Sequence, residues 1–225
     1  MYPIAKRTLD IVFALLALAV LSVLFIPIMI ALRLTAEGEV FYFQKRIGLG
    51  NRYFYIWKFA TMLKNSPNIG TGSITLRNDP RVTTVGKWLR ITKINELPQL
   101  INVLKGDMSL VGPRPLVDRT FSAYPEEIQK IVYNVKPGIT GIGSIIFRDE
   151  EKLISESDMP PHDFYLAYIA PYKGKLEIWY QQNASMYTDL VIIFLTAWVI
   201  LFPESQLIHK IFKDLPKRPE ELQLA

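Results

Sequence analysis

The chain has 225 residues, half of them hydrophobic, with a formal net charge of +5, no cysteine and only two histidines. This composition excludes disulfides, thiolate metal centres and a cysteine nucleophile, and His162 and His209 lie too far apart for metal-ligand spacing. The basic balance favours anionic partners, and with no zinc-finger, basic-zipper or RNA-recognition pattern it points away from nucleic acid and toward membrane lipids or phosphorylated substrates.

The first element is apolar. Ile11 to Leu32 is a run of 22 residues without a charge, about the ~20 needed to cross a hydrocarbon core and longer than the ~7 to 15 of a cleaved signal segment. Pro27 lies inside it, where a helical hydrogen bond is lost and the ring crowds the preceding turn, so a break is expected there. Lys6 and Arg7 precede the run, and Arg33, Lys45 and Arg46 follow it. With basic residues on both sides, the positive-inside rule assigns no clean orientation to a single span. The expectation is a bent, re-entrant hairpin with both ends on one side; a straight span is the alternative.

Val40–Phe43 and Tyr53–Phe59 are β-branched or aromatic runs around a turn containing Gly48, Gly50 and Asn51, which predicts a hairpin. Residues 65–81, rich in Ser, Asn, Gly and Pro, form a loop long enough to be functional. Val82 to Ile94 has helical composition, with Lys87 and Arg90 on one face leading to Asn95 and Glu96. That face suits either phosphates or solvent.

The stretch NELPQLINVLKGDMSLVGPRP is the most informative. Leu97, Leu100, Ile101 and Leu104 predict a short amphipathic helix ended by Gly106, with Pro98 in the tolerant first turn and Asn95 as its N-cap. Glu96 then sits at the positive helix end. Arg114, held between two prolines, presents a guanidinium on a stiff backbone suited to a planar anion. KPGITG is a second turn, followed by Arg148 and by an acidic patch, Asp149 to Glu151, read as solvated. Leu190 to Phe202 is an apolar run of 13 residues, too short to cross a bilayer and read as an interfacial or core helix. Lys210 to Ala225 reads as a charged, interfacial or partner-facing tail.

WKFATM, the Asn95 to Pro115 block, KPGITG and the late apolar run with Asp189 resemble, in that order, the bacterial sugar transferase family, the monotopic phosphoglycosyl transferases. The likeness spans roughly residues 1 to 202. It implies transfer of a sugar phosphate from a UDP-sugar to polyprenyl (undecaprenyl) phosphate, with Mg²⁺ as metal, at the cytoplasmic face of the bacterial inner membrane, and so a role in starting exopolysaccharide, capsule, O-antigen or other glycan synthesis. The implied fold is α+β and mostly helical: a re-entrant membrane helix over residues 1–36, a catalytic-type domain with interfacial helices and a small hairpin over 37–202, and the tail over 203–225. Carried over residue by residue, Glu96 matches the second member of the family's Asp-Glu dyad. Lys58, Arg114 and Arg148 match phosphate-handling positions, joined here by Arg90, and Glu177 and Asp189 match acidic positions assigned to metal or nucleotide.

Asn95 departs from the pattern, because it stands where the family carries its nucleophilic Asp and an amide has no anionic oxygen with which to attack. Ile26 and Ala60 are milder departures. Three readings of Asn95 follow: an active chain in which Glu96, a neighbouring carboxylate or direct attack by the acceptor phosphate replaces the usual step; a member that binds nucleotide sugar, lipid or a partner protein without transfer; or an engineered Asp→Asn change. Neither the sugar nor the oligomeric state is written in these residues.

Overall fold

A computed structural model describes residues 2–35, 37–69 and 79–222. The helix α1, Tyr2–Leu34, runs as one uninterrupted element through Pro27, so the break expected at that proline does not occur. Its inner face is held by the domain along most of its length. Ala14 packs with Ile56, Leu100, Val103 and Met108, while Ile28 and Leu32 pack with Phe59 and Leu89. The Phe25 and Phe59 rings meet edge to face at 5.1 Å. The outer face, with Val12, Leu16, Val20, Val23, Ile26 and Ile30, is exposed.

At the N-terminal end the anchoring is polar. Lys6 pairs with Asp189 at 2.7 Å, Arg7 donates to the Val103 and Leu104 carbonyls, and Asp10 accepts from the Ser109 hydroxyl and the Leu110 amide. Both ends of α1 therefore rest on the same domain.

The hairpin forms, but it is longer than predicted: β1, Phe41–Ile47, pairs antiparallel with β2, Tyr53–Phe59, so that Tyr42 lies opposite Lys58 and Phe43 opposite Trp57. The turn is short, with Gly50 and Asn51 both at positive φ. Residues 70–78 of the predicted loop lie outside the described residues. The helix α2, Thr84–Ile91, begins at Thr83, whose hydroxyl accepts from the Gly86 amide. After it come a 3-10 turn, Ile94–Gln99, and α3, Leu100–Lys105, which stops at Gly106 in the left-handed conformation, φ 91°.

A second small sheet pairs β3, Ser109–Val111, in parallel with β4, Gly138–Thr140, and between these strands lie α4, Asp118–Phe121, and α5, Glu126–Ile131. The remaining helices are α6, Ile142–Ile146, α7, Glu150–Ser155, and α8, Pro161–Phe164, which passes through a π turn into α9, Ala170–Gln182. α10, Met186–Leu201, and α11, Leu207–Ile211, complete the set.

The main core gathers around α9, whose Tyr172, Leu176 and Tyr180 are buried with Ile142, Ile145, Ile192 and Leu195. α10 is divided: Ile192, Leu195 and Val199 face inward, while Leu190, Phe194 and Leu201 are exposed. The tail is not free. Phe212 packs on Trp179, Tyr172 donates to the Pro216 carbonyl and Leu222 is buried, so residues 207–222 cover α9.

Candidate active site

Lys58, Glu96 and Arg114 come from three separate elements and meet. β2 is an edge strand, and Asn102 of α3 binds its free edge: the Asn102 side chain accepts from the Trp57 amide at 2.9 Å and donates to the Tyr55 carbonyl at 2.8 Å. This clamp leaves Asn102 fully buried and satisfied, and it fixes Lys58 beside the 3-10 turn that carries Glu96. Nothing in the sequence marked Asn102, because one apolar-helix Asn has no distinguishing spacing.

Arg114 is held by its backbone. Gly112 donates to the Thr140 carbonyl and Gly138 to the Pro113 carbonyl, both at 2.9 Å. A Cβ on Gly112 would lie 2.4 Å from the Lys136 carbonyl oxygen, and one on Gly141 would lie 2.3 Å from the Gly112 oxygen. The two glycine turns thus pack backbone to backbone. The Tyr133 hydroxyl donates to the Arg114 carbonyl at 2.8 Å and accepts from the Leu116 amide at 2.9 Å, so the stiffness ascribed to the prolines is completed by neighbouring elements.

In this setting Glu96 accepts from Lys58 at 2.9 Å and from both ends of the Arg114 fork, at 2.6 and 3.2 Å. Burial alone pushes the Glu96 carboxyl up, but Arg114 and Lys58 outweigh it and hold it well below the usual carboxylate range. Burial, together with the charges of Arg114 and Arg46, brings the Lys58 ammonium down to about 7 against the opposing pull of Glu96. Arg46 donates to the Pro115 carbonyl and lines a small recess with Ile56, Lys58, Gln99, Arg114 and Pro115. Lys93, at positive φ in the preceding turn, also lies within electrostatic reach of Glu96 and Arg114. Sequence reading missed Arg46 and Lys93 as site residues. The hairpin alternation, which puts Arg46, Ile56 and Lys58 on one face, was the available signal for Arg46.

Asn95 is not a cap. The cap position is Lys93, no side-chain cap bond is made there, and Asn95 lies inside the 3-10 turn, 6% exposed, with its Oδ1 enclosed and without a hydrogen-bond partner. The acidic patch is solvated at Asp149 and Glu151, which are exposed although Glu151 pairs with Arg90 at 2.6 Å; Glu150 departs from that reading, being partly buried against Lys173. Arg90 is therefore committed to α7 rather than to Glu96, and Lys87 is exposed.

Arg148, after α6, has a buried Nη1 without a partner, as has the Ser144 hydroxyl one turn before it. Glu177 lies behind the Arg114 loop, where burial raises its carboxyl to about 7 while Lys173 and the Arg114 backbone amide oppose that shift. Asp189 is occupied elsewhere: Tyr2 and Lys6 bind its Oδ2 and Tyr180 its Oδ1. It secures α1 to α10 and is not among the groups in contact with Glu96.

Mg²⁺ takes oxygen ligands, commonly one or two carboxylates with substrate phosphates and water. Among the described residues no group of three or more His, Cys, Asp or Glu is placed to hold a metal. Glu96 is enclosed by cations with both oxygens engaged, so these side chains do not form a protein cage for magnesium. What the cluster favours is an anion: Arg46, Lys58, Lys93 and Arg114 surround a single carboxylate.

Residues 1–203 match the family described as bacterial sugar transferase. The chain is 38% identical over 208 residues to the UDP-N-acetylgalactosamine-undecaprenyl-phosphate N-acetylgalactosaminephosphotransferase of Aeromonas hydrophila, covering 89% of this chain and 44% of that protein. It is 36% identical over 196 residues to the undecaprenyl-phosphate glucose phosphotransferase of Komagataeibacter xylinus, covering 85% and 35%. With the exopolysaccharide production protein ExoY of Sinorhizobium fredii it shares 33% over 207 residues, 86% of this chain and 84% of that one. The chain thus spans less than half the length of the first two relatives and most of the third.

Proposed function

The chain belongs to the bacterial sugar transferase family, and we propose that it moves a sugar phosphate from a UDP-sugar to a polyprenyl phosphate, initiating lipid-linked polysaccharide synthesis. The observation that carries this reading is the excess of cations around Glu96, built on a domain that also carries a long exposed apolar helix. A diphosphate donor and a phosphate acceptor both need such cations, and a lipid acceptor needs the apolar surface beside them.

Arg114 offers a planar fork to a phosphate, and because its loop is locked before the ligand arrives, little ordering remains to be done on binding. Lys58 adds a positive charge at Glu96 Oε1, the oxygen it shares with Arg114. Glu96 keeps both cations oriented and partly neutralised, so the recess is not a bare positive hole in the absence of substrate. Magnesium in this reading accompanies the donor diphosphate, with phosphate and water oxygens as its ligands.

α1 is long and apolar enough to cross a membrane, and 11% of its most apolar 18-residue window is buried. Its attachment to one domain at both ends supports a shallower placement: the inner face on the protein, the outer face in one leaflet, and the site at the headgroups on the cytoplasmic side of the inner membrane.

The test uses purified protein in detergent with UDP-sugars, Mg²⁺ and undecaprenyl phosphate, following UMP release and the lipid product. We expect UMP and glycolipid in equal amounts, lost in Glu96→Gln. If wild-type protein binds UDP-sugar yet releases no UMP with any sugar, the chain is a binding member of the family, the reading Asn95 otherwise favours.

A further inference from the structure

We propose that Gln99 is a substrate-binding residue, whose side-chain amide donates to a phosphate oxygen held in the recess between Arg46, Lys58 and Arg114. The inference rests on the transferase reading above and adds an uncharged contact to the same site.

Two amides lie one helical turn apart here and differ in what they do. Asn102 is fully buried, and both ends of its side chain are spent on the edge of β2. Gln99 is 3% exposed and lines the recess with Arg46, Ile56, Lys58, Arg114 and Pro115. It stands where the 3-10 turn passes into α3, yet its side chain makes no cap bond to that helix. Among the described residues its amide has no hydrogen-bond partner, and neither amide atom is among the polar groups sealed inside the protein. An amide so nearly buried, with its donors and acceptor unmet, costs free energy until something entering the recess meets it.

The walls decide what enters. Arg46 commits three of its five N–H groups, two to Gln44 Oε1 and one to the Pro115 carbonyl, so two remain. Lys58 and Arg114 share the single negative charge of Glu96. The recess is thus short of negative charge and rich in donors, and a phosphate oxygen, which accepts several hydrogen bonds at once, answers both. Glutamine suits its place by being neutral. Another lysine or arginine would bury a further cation beside three that already repel one another, and a glutamate would cancel the charge that draws the phosphate in. The amide adds donors without adding charge.

A phosphate reaches this recess from the donor diphosphate or from the lipid acceptor, and the experiment tells them apart. Full-length wild-type, Gln99→Met and Gln99→Glu proteins in detergent are titrated with UDP, UMP and undecaprenyl phosphate below and above pH 7, with UMP release followed alongside. Methionine keeps the length and apolar body of the side chain and removes the amide; glutamate keeps the shape and reverses the electrostatics. We expect Gln99→Met to weaken a phosphate-bearing ligand by roughly 10- to 100-fold, by the same factor at both pH values, and Gln99→Glu to weaken it further. A loss larger for UDP than for UMP assigns the contact to the outer donor phosphate, an equal loss to the inner one, and a loss confined to undecaprenyl phosphate to the acceptor. Three results overturn the proposal while leaving the transferase function standing: unchanged binding of all three ligands by folded Gln99→Met, wild-type affinity in Gln99→Glu, which would reduce the residue to its shape, or a loss seen only above pH 7, which would show it acting through Lys58. Wild-type protein that binds neither UDP nor undecaprenyl phosphate sinks the function and this inference together.

Discussion

Lys58 and Arg114 answer to the same carboxylate by different physics, and two predictions separate them. The Lys58 ammonium is brought down to about 7 by burial. The folded protein therefore loses this proton near neutrality while the unfolded chain keeps it to the ordinary value of 10.5. For stability, this group's contribution rises with pH between those values, because the unfolded state binds more protons there. Anion binding runs the other way: UDP affinity should be level below pH 7 and weaken above it. Titration calorimetry in buffers of different ionisation enthalpy should show proton uptake on binding near pH 8, and Lys58→Arg should remove it. Arg114→Lys tests geometry rather than charge. It keeps the cation but loses the fork, and should lower kcat/KM by on the order of 10- to 100-fold; unchanged kcat/KM would show that charge alone suffices. Glu96 was legible from its place at the start of a short helix and Arg114 from its two flanking prolines, whereas Lys58 came only from the family resemblance. The cap assigned to Asn95 was wrong because the turn is 3-10 and begins at Lys93 in a left-handed conformation, which residue spacing does not reveal.

At the level of elements, the position of Arg114 depends on two glycine turns, and the prediction is a contrast between glycines. Gly112→Ala places a methyl 2.4 Å from a backbone oxygen, with no flexible side chain to yield, so β3 and β4 must separate. We expect a loss of at least about 1–3 kcal/mol and a fall in UMP release beyond what the lost stability explains, since the Arg114 fork moves with the strand. Gly50, at φ 62°, has nothing within 4 Å of an added Cβ. Gly50→Ala should cost only the backbone strain, about 1–2 kcal/mol, and leave kcat/KM near wild type. Thermal unfolding and initial rates of both variants check this; equal losses of activity would separate Arg114 from the glycine packing. The hairpin, α2, α3 and α10 were readable from period and punctuation. α9 was not, because Lys173 and Glu177 are buried in it and no polar face contrasts with an apolar one. The tail misled for a related reason: its charges remain at the surface while Phe212 and Leu222 turn inward.

For the whole molecule the question is how a helix long enough to cross a bilayer is attached to its domain. α1 has 33 residues, about 50 Å at ~1.5 Å per residue, against a hydrocarbon core of ~30 Å. A perpendicular span would carry one end away from the domain that holds the other. The structure shows polar anchors at the start and apolar ones along the rest. Lys6 and Asp189 form the ion pair among these polar contacts, with side chains 18% and 3% exposed, and Tyr2 and Tyr180 complete the Asp189 shell. Removing one member leaves the other buried and unpaired, so Asp189→Asn should destabilise the protein by about 2–4 kcal/mol, near the lower end for a buried pair because Lys6 retains the Val111 carbonyl. Lys6→Met with Asp189→Asn should recover part of that loss, as the orphaned charge is gone. The placement itself is read by a single cysteine in this cysteine-free chain at exposed position Ile4. With α1 held to one side, an impermeant thiol reagent should label Ile4→Cys only after the cells are opened, in wild-type background. Labelling from outside intact cells would show a full span and overturn the shallow placement, while leaving the anion cluster and its chemistry untouched.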